Sequence, residues 1–221
     1  MRVKPALRVL AVLLALALVL AGCGGGDDEK SEPKADPSPT VPTGNVEVAD
    51  GVTITEPGTE LDFGAAATVA YEPNPRRGSV LSLAVSSVRQ GRISDFAAYQ
   101  VDAATKKSRP YYVRGVVKNV GPGDMSRVGV PLYAVSNSDT LIQPSTFNNT
   151  FTRCPSKPLP AGFVEGKSTA VCLVYLIPNG GTLTEVSYRP LQAYSPITWS
   201  GAIQPPVVVK KKAKSKRQQR N

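Results

Sequence analysis

Residues 110–120, PYYVRGVVKNV, decide the fold class of this chain. One side of this stretch carries Tyr112, Arg114, Val116 and Lys118, and the other carries Tyr111, Val113, Gly115, Val117 and Asn119. Alternation with a period of two, rich in β-branched and aromatic residues, predicts a long β-strand. The residues that follow, Gly121-Pro122-Gly123, are typical of a turn, so the strand ends there.

Similar patterns recur on both sides of this strand. Further strands are predicted at residues 52–55, 66–71, 79–88, 128–136, 140–142, 167–177, 182–188 and 196–200. Residues 93–107 predict an irregular loop or one short helix, for which Ser94 is the candidate N-cap. Seven to nine short strands separated by turns predict an all-β, antiparallel β-sandwich.

The order of these strands resembles the immunoglobulin-like domains of unknown function found in exported lipoproteins of Gram-positive bacteria and actinomycetes. The resemblance covers residues 80–199 and rests on Asn119-Val120-Gly121 after the long strand, and on Gly166 and Pro178 around the next one. It implies a β-sandwich at the cell surface, and it carries no catalytic residues. Residues 93–107 are then an insertion, and Cys154 and Cys172 an addition to the pattern.

The amino terminus predicts export. A basic head with Arg2, Lys4 and Arg8 precedes an apolar run, and Ala21-Gly22-Cys23 closes it. This resembles a lipoprotein signal peptide of residues 1–22, and the resemblance implies that Cys23 carries a diacylglyceryl group with palmitate-type chains. The alternative is an ordinary signal peptide, or an uncleaved anchor, with a chance cysteine.

Two polar segments flank the predicted sandwich of residues 46–204. Residues 23–45 predict a flexible linker, because they contain almost no apolar side chains. Residues 205–221 predict a disordered basic tail, whose charges are Lys210, Lys211, Lys212, Lys214, Lys216, Arg217 and Arg220. Near a membrane such a tail would bind anionic lipid or acidic wall polymers; the alternative is a solubilising tail without a partner.

The net charge of +9 does not indicate a nucleic-acid-binding domain. Most of the excess lies in the signal peptide and the tail, so the predicted sandwich is nearly neutral and no nucleic-acid partner is expected. Export also makes a disulfide between Cys154 and Cys172 the natural expectation, worth roughly 3 kcal/mol in the chain-entropy model. Two free buried thiols are the alternative.

Catalytic chemistry has little support in the sequence. The chain has no histidine, which removes histidine-based nucleophilic sites and most zinc sites, and no metal or cofactor is predicted. The candidate carboxylate pairs are Asp95 with Asp102 and Glu60 with Asp62, although solvated roles are favoured. Ser82, Ser86 and Ser87 lack an obvious basic partner.

Aromatic residues offer the other candidate surface. Tyr111, Tyr112, Tyr133, Tyr175, Tyr188, Tyr194 and Trp199 could line a ligand site, although most are expected in the core or on a sheet face. The sequence therefore predicts a membrane-anchored, non-enzymatic binding or scaffold module for an envelope protein or wall polymer. The alternative is a small-molecule or metal-delivery lipoprotein, and an enzyme comes third.

Overall fold

The computed structural model describes residues 43–189 and 194–207. Its strands are β1 (Glu60–Asp62), β2 (Ala66–Asn74), β3 (Arg77–Gln90), β4 (Arg109–Asn119), β5 (Tyr133–Ser136), β6 (Leu141–Ile142), β7 (Ser168–Ile177), β8 (Leu183–Tyr188), β9 (Ile197–Ser200) and β10 (Ile203–Gln204). Among these described residues, helical structure is confined to α1 (Ala103–Lys106) and two 3-10 turns, Ile93–Phe96 and Pro178–Gly180. The predicted all-β, antiparallel β-sandwich is confirmed.

Two sheets make up the sandwich. One has the order β1-β9-β8-β5-β6, and the other has the order β10-β3-β4-β7, with β2 alongside β3. Most neighbours are antiparallel; β1 with β9 and β10 with β3 are parallel. Strand β4, the stretch from which the prediction began, pairs with β3 on one side and with β7 on the other.

The alternation of β4 sets which face is buried. Tyr111, Val113 and Val117 belong to the main core, whereas Arg114, Val116 and Lys118 are exposed. The opposite sheet contributes Trp199, which is fully buried and donates from its indole nitrogen to the carbonyl of Ala65 at 2.9 Å. The strand is therefore a half-buried one, as its period of two predicts.

Asn119 ties the end of β4 into the core. Its side-chain oxygen accepts from the Ser79 hydroxyl at 2.7 Å and from the amide of Gly121 at 3.2 Å. Its side-chain nitrogen donates to the carbonyls of Gly123 at 2.7 Å and Phe163 at 3.1 Å. The residue is fully buried, so these four bonds replace its contacts with water.

One strand prediction was wrong, and a second was correct only for its last four residues. Residues 52–55 form no strand; Thr55 only lies along β2, donating its amide to the carbonyl of Thr68 at 2.8 Å. Of residues 128–136, only the last four form β5. Val128 instead accepts a bond from the amide of Leu159 at 2.9 Å, and Pro131 has no amide hydrogen for a ladder.

The segment 93–107 contains two short turns rather than one helix. A 3-10 turn forms at Ile93–Phe96, and α1 follows. Asp102 caps α1 by accepting from the amide of Thr105, so Ser94 is not the cap of this helix. Within residues 43–189 and 194–207, no helix combines the length and apolarity needed to span a membrane.

Several predictions concern residues that the structure does not describe. These are the signal peptide, the lipidation of Cys23, most of the linker and the basic charges of the tail. They stay predictions from the sequence.

Candidate functional site

A disulfide loop, residues 144–158, lies against the outer edge of β7. The Sγ atoms of Cys154 and Cys172 are 2.05 Å apart, so the predicted disulfide joins this loop to the strand. The amide of Ser156 also donates to the carbonyl of Cys172 at 2.8 Å. Covalent and hydrogen bonds together fix the loop on the sandwich.

An aromatic cluster packs the same loop against the outer face of the β3-β4-β7 sheet. Its members are Phe96, Tyr99, Tyr112, Phe147 and Phe151. The rings of Phe96 and Phe151 stack with centroids 4.7 Å apart, and Tyr99 donates its hydroxyl to the carbonyl of Thr150 at 3.0 Å. The segment predicted as an insertion thus packs with the disulfide loop to form a second, smaller core.

Asp95 connects the pieces of this small core. It accepts the Tyr112 hydroxyl at 2.8 Å and the backbone amide of Arg92 at 3.1 Å, and its other oxygen lies 3.6 Å from Nε of Arg153. Burial, followed by the hydrogen bond to Asp95, raises the pKa of Tyr112 far above its ordinary value. Asp95 therefore holds Tyr112 as a neutral donor and positions the loop around it.

The end of the disulfide loop continues into a proline segment, residues 155–160, PSKPLP. Leu159 is buried and paired with the backbone of residues 127 and 128, which anchors the segment to the connection between β4 and β5. Pro155, Lys157 and Pro158 remain exposed. This rigid bridge separates two clefts.

The first cleft, the edge groove, lies between the proline segment and β7 and has a volume of about 400 Å³. It is lined by Arg114, Pro155, Lys157, Pro158, Pro160 and residues 169–172. Its charged lining residues are both cations, Arg114 and Lys157. The groove therefore favours an anionic occupant.

The second cleft, the tyrosine cleft, lies on the other side of the proline segment and has a volume of about 250 Å³. Its polar lining consists of the neutral side chains of Tyr71, Tyr133, Gln143, Thr146 and Ser156 and of one cation, Lys157, which it shares with the edge groove, and Leu132 and Leu173 are among its apolar lining. Burial, followed by the proximity of Tyr133, raises the pKa of Tyr71. Such a mixture of a few polar groups and apolar surface suits a small molecule.

A third concavity of about 370 Å³ lies near the start of the domain. Glu47, Glu72, Arg76 and Arg77 line it together. Glu72 already accepts from the amide and side chain of Asn45, and Arg77 donates to the carbonyl of Ser126. Its charges of both signs give it no clear preference for a ligand.

Comparisons with known proteins give few leads. No protein-family model matches the chain. No curated protein matches it either. The crystal structure of MPT63, a secreted protein from Mycobacterium tuberculosis, aligns with a TM-score of 0.44 and 11% sequence identity, over 64% of this chain and 96% of that one. The resemblance drawn from Asn119 and its neighbours stays a prediction.

The predicted aromatic surface is divided by the fold. Tyr111, Tyr175, Tyr188 and Trp199 belong to the main core, and Tyr112 belongs to the aromatic cluster. Tyr133 lines the tyrosine cleft, and Tyr194 is 38% exposed. Tyr71 of β2, which the sequence analysis did not single out, lines that cleft together with Tyr133.

The predicted carboxylate pairs are engaged separately. Asp95 binds Tyr112, whereas the backbone and hydroxyl of Thr105 lower the pKa of Asp102 at the start of α1. Glu60 and Asp62 are both exposed on β1. Glu60 instead influences Glu185, whose pKa is raised first by partial burial and then by that neighbour.

The serines of β3 have two basic neighbours on β4 that the sequence did not indicate. Ser82 stands opposite Lys118 in the register of β3 with β4, but Lys118 is exposed to solvent. Ser86 is exposed and Ser87 is half-buried opposite Arg114. A Ser-Lys dyad needs a lysine buried beside the serine, and Lys118 is exposed.

Sequence reasoning missed Arg114 and Lys157 as partners in one groove. They lie 43 positions apart and meet only because the disulfide loop returns to β7. The spacing of Pro155, Pro158 and Pro160 was the available signal, since three prolines so close favour an extended, rigid segment. In the described part of the chain, no three histidine, cysteine or acidic side chains come together as a metal site would require.

Proposed function

We propose that this protein is a lipid-anchored, non-catalytic binding module on the extracytoplasmic face of the cell membrane. The sequence around Cys23 supports the anchor, and a disulfide suits an oxidising compartment. The single observation that carries the binding role is the proline segment, which is locked by Cys154, Cys172 and Leu159 and is flanked by two clefts. A rigid scaffold that presents a shaped loop is the usual arrangement of a recognition surface.

The bonding of the acidic side chains supports a non-catalytic role. Asp95 accepts bonds from Tyr112 and Arg92, and Asp102 caps α1. Both carboxylates thus stabilise local structure. The partners we propose are an envelope protein or an anionic wall polymer, and the basic tail adds a second, charge-driven contact with the membrane or wall.

The anchor is tested by metabolic labelling of the full chain with an alkyne-bearing palmitate. We expect label and membrane association that are both lost in Cys23→Ala, because the thiol is the acceptor. The variants Cys154→Ala and Cys172→Ala serve as controls and keep the label. Labelling that persists in Cys23→Ala would remove the lipid anchor from the proposal.

The binding role is tested by capture from envelope fractions. The bait is the chain from residue 23 with Cys23→Ser, beside the same chain ending at Val209, in low and high salt. Capture that survives truncation and salt would assign binding to the sandwich, whereas capture lost with the tail would indicate a charge-held adaptor. Capture of nothing by either bait would contradict the proposal.

The second candidate function, binding of a small molecule, is favoured by the tyrosine cleft. Native mass spectrometry of gently purified protein would then show a retained ligand that is lost in Tyr133→Ala. Tyr194→Ala is the matched control, because Tyr194 is exposed outside the cleft. An unliganded mass for both proteins would count against this function.

A further inference from the structure

The outer edge of β7 is only half covered. The amide of Val174 donates to the Ser156 hydroxyl at 3.1 Å, and its carbonyl accepts from the amide of Ser145 at 2.7 Å. Ser156 also donates to the carbonyl of Cys172. The disulfide loop thus occupies the edge at both backbone groups of Val174 and at the carbonyl of Cys172, where a further strand would otherwise pair.

The other half of this edge is open. In an antiparallel strand, alternate residues direct both backbone groups to the same side, so Ala170 faces the same way as Cys172 and Val174. Ala170 is exposed, and within residues 43–189 and 194–207 its carbonyl accepts one hydrogen bond, a long one of 3.4 Å from the Thr169 hydroxyl. By contrast, the outer edge of β2 is covered, since Thr68 pairs with Thr55 through its amide and its carbonyl.

An unpaired strand edge is a template for another extended chain. The edge groove runs beside this one and provides the space for it, about 400 Å³. Its far wall is formed by Pro155, Pro158 and Pro160, which lack amide hydrogens and so leave the backbone of an incoming strand to pair with β7.

Charge decides which extended chain fits. Arg114 and Lys157 line the groove, and no carboxylate lines it. In the part of the chain that the structure describes, the recorded ion pair joins Arg153 to Asp95, and neither groove cation takes part in it. A second copy pairing through the same edge would bring like charges together, which disfavours it.

We propose that the edge groove binds an extended acidic peptide segment of an envelope protein, which adds as a strand to the open half of β7. Its backbone pairs with Ala170 and with the free amide of Cys172, and its carboxylates interact with Arg114 and Lys157. This proposal rests on the proposed binding function and names the surface and the chemistry of the partner.

The probe is the peptide acetyl-TVEVEVT-amide, which is extended, acidic and blocked at both ends. It is titrated into the ¹⁵N-labelled chain from residue 23 with Cys23→Ser. We expect the largest shifts at the amides of Ala170 and Cys172, because these donors change partner. The same peptide with glutamine in place of glutamate should bind with an affinity lower by about fivefold or more. This factor corresponds to roughly 1 kcal/mol for a partly exposed charge pair.

Two variants of one position test the backbone pairing. Ala170→Pro removes the free amide without disturbing a bond to β4, whereas Ala170→Val keeps it in a strand-favouring residue. We expect binding to be lost in the first and kept in the second. Lys157→Gln should weaken binding several-fold, and Lys106→Gln on α1, a cation outside the groove, should not.

Several results of these experiments would contradict strand addition at the open half of β7. Unchanged binding in Ala170→Pro, or no amide shift at millimolar peptide, would overturn strand addition. A dimer in sedimentation that Ala170→Pro dissociates would assign the edge to a second copy instead. Envelope capture that is unaffected by Ala170→Pro would leave the proposed function standing on another surface while removing this inference.

Discussion

At the scale of single residues, Asn119 shows how one polar side chain organises a turn. It is fully buried, and its amide meets four partners that would otherwise be unsatisfied. Burying an unpaired polar group costs about 1 to 3 kcal/mol. The hydrogen bonds of Asn119 therefore connect β3, the turn after β4 and the loop that leads to β7.

We expect Asn119→Ala to lower the free energy of unfolding by about 3 kcal/mol, since several buried partners lose their bonds at once. Chemical denaturation followed by tryptophan fluorescence measures this, because Trp199 is in the core. Asn149→Ala is the control in an exposed loop and should change stability by less than about 0.5 kcal/mol. Equal stability of the two variants would contradict the role of Asn119.

The backbone of Gly123 lies very close to the backbone of Gly78, which leads to a second prediction for single residues. A Cβ at Gly123 would overlap the carbonyl oxygen of Gly78, whereas a Cβ at Gly129 would meet nothing within 4 Å. Gly123→Ala should therefore destabilise by at least about 3 kcal/mol or prevent folding, and Gly129→Ala should be neutral or slightly stabilising. Thermal unfolding of both variants measures the effect. A Gly123→Ala variant as stable as the parent protein would show that the turn can shift freely.

At the scale of elements, the disulfide loop is held by a covalent bond and by aromatic packing. Cys154 is fully buried beside the aromatic cluster, and Cys172 lies on the outer face of β7. The disulfide joins two cysteines that are 18 positions apart in the sequence. These contacts make the proline segment rigid, and both clefts depend on its position.

We expect the double variant Cys154→Ser, Cys172→Ser to lose about 3 kcal/mol of stability, as the chain-entropy model gives for a loop of this length. Reductant should destabilise the parent protein by a similar amount and leave the double variant unchanged. Denaturation curves with and without reductant provide the measurement. A parent protein insensitive to reductant, with accessible thiols after unfolding, would show that the bridge is not formed.

At the scale of the whole molecule, buried tyrosines couple folding to alkaline pH. Burial is the leading cause that raises the pKa of Tyr112, Tyr175 and Tyr188 in the folded state. In the unfolded chain a tyrosine ionises near its ordinary pKa of about 10. The folded state then holds more protons than the unfolded one above that pH, so stability decreases as pH rises.

We therefore expect the free energy of unfolding to fall progressively above about pH 10 and to be insensitive to these groups below it. Tyr188→Phe should reduce the slope, since one titrating group is removed, although it also loses the bond to the carbonyl of Ala70. Denaturation at a series of pH values, with tyrosinate absorbance followed in parallel, measures the effect. A free energy of unfolding that stays constant above pH 10 would contradict it.

The sequence by itself determined the fold class, because the period of two in residues 110–120 fixes which face of a strand is apolar. It also determined the cysteine pair and the stretches β2, β3, β7, β8 and β9. Only the tertiary structure decided β1 and β10, which are two or three residues long and exist because distant strands offer them an edge. It alone brought Arg114 to Lys157 and Tyr71 to Tyr133, since side chains far apart in the chain meet only through the return of loops across the sandwich.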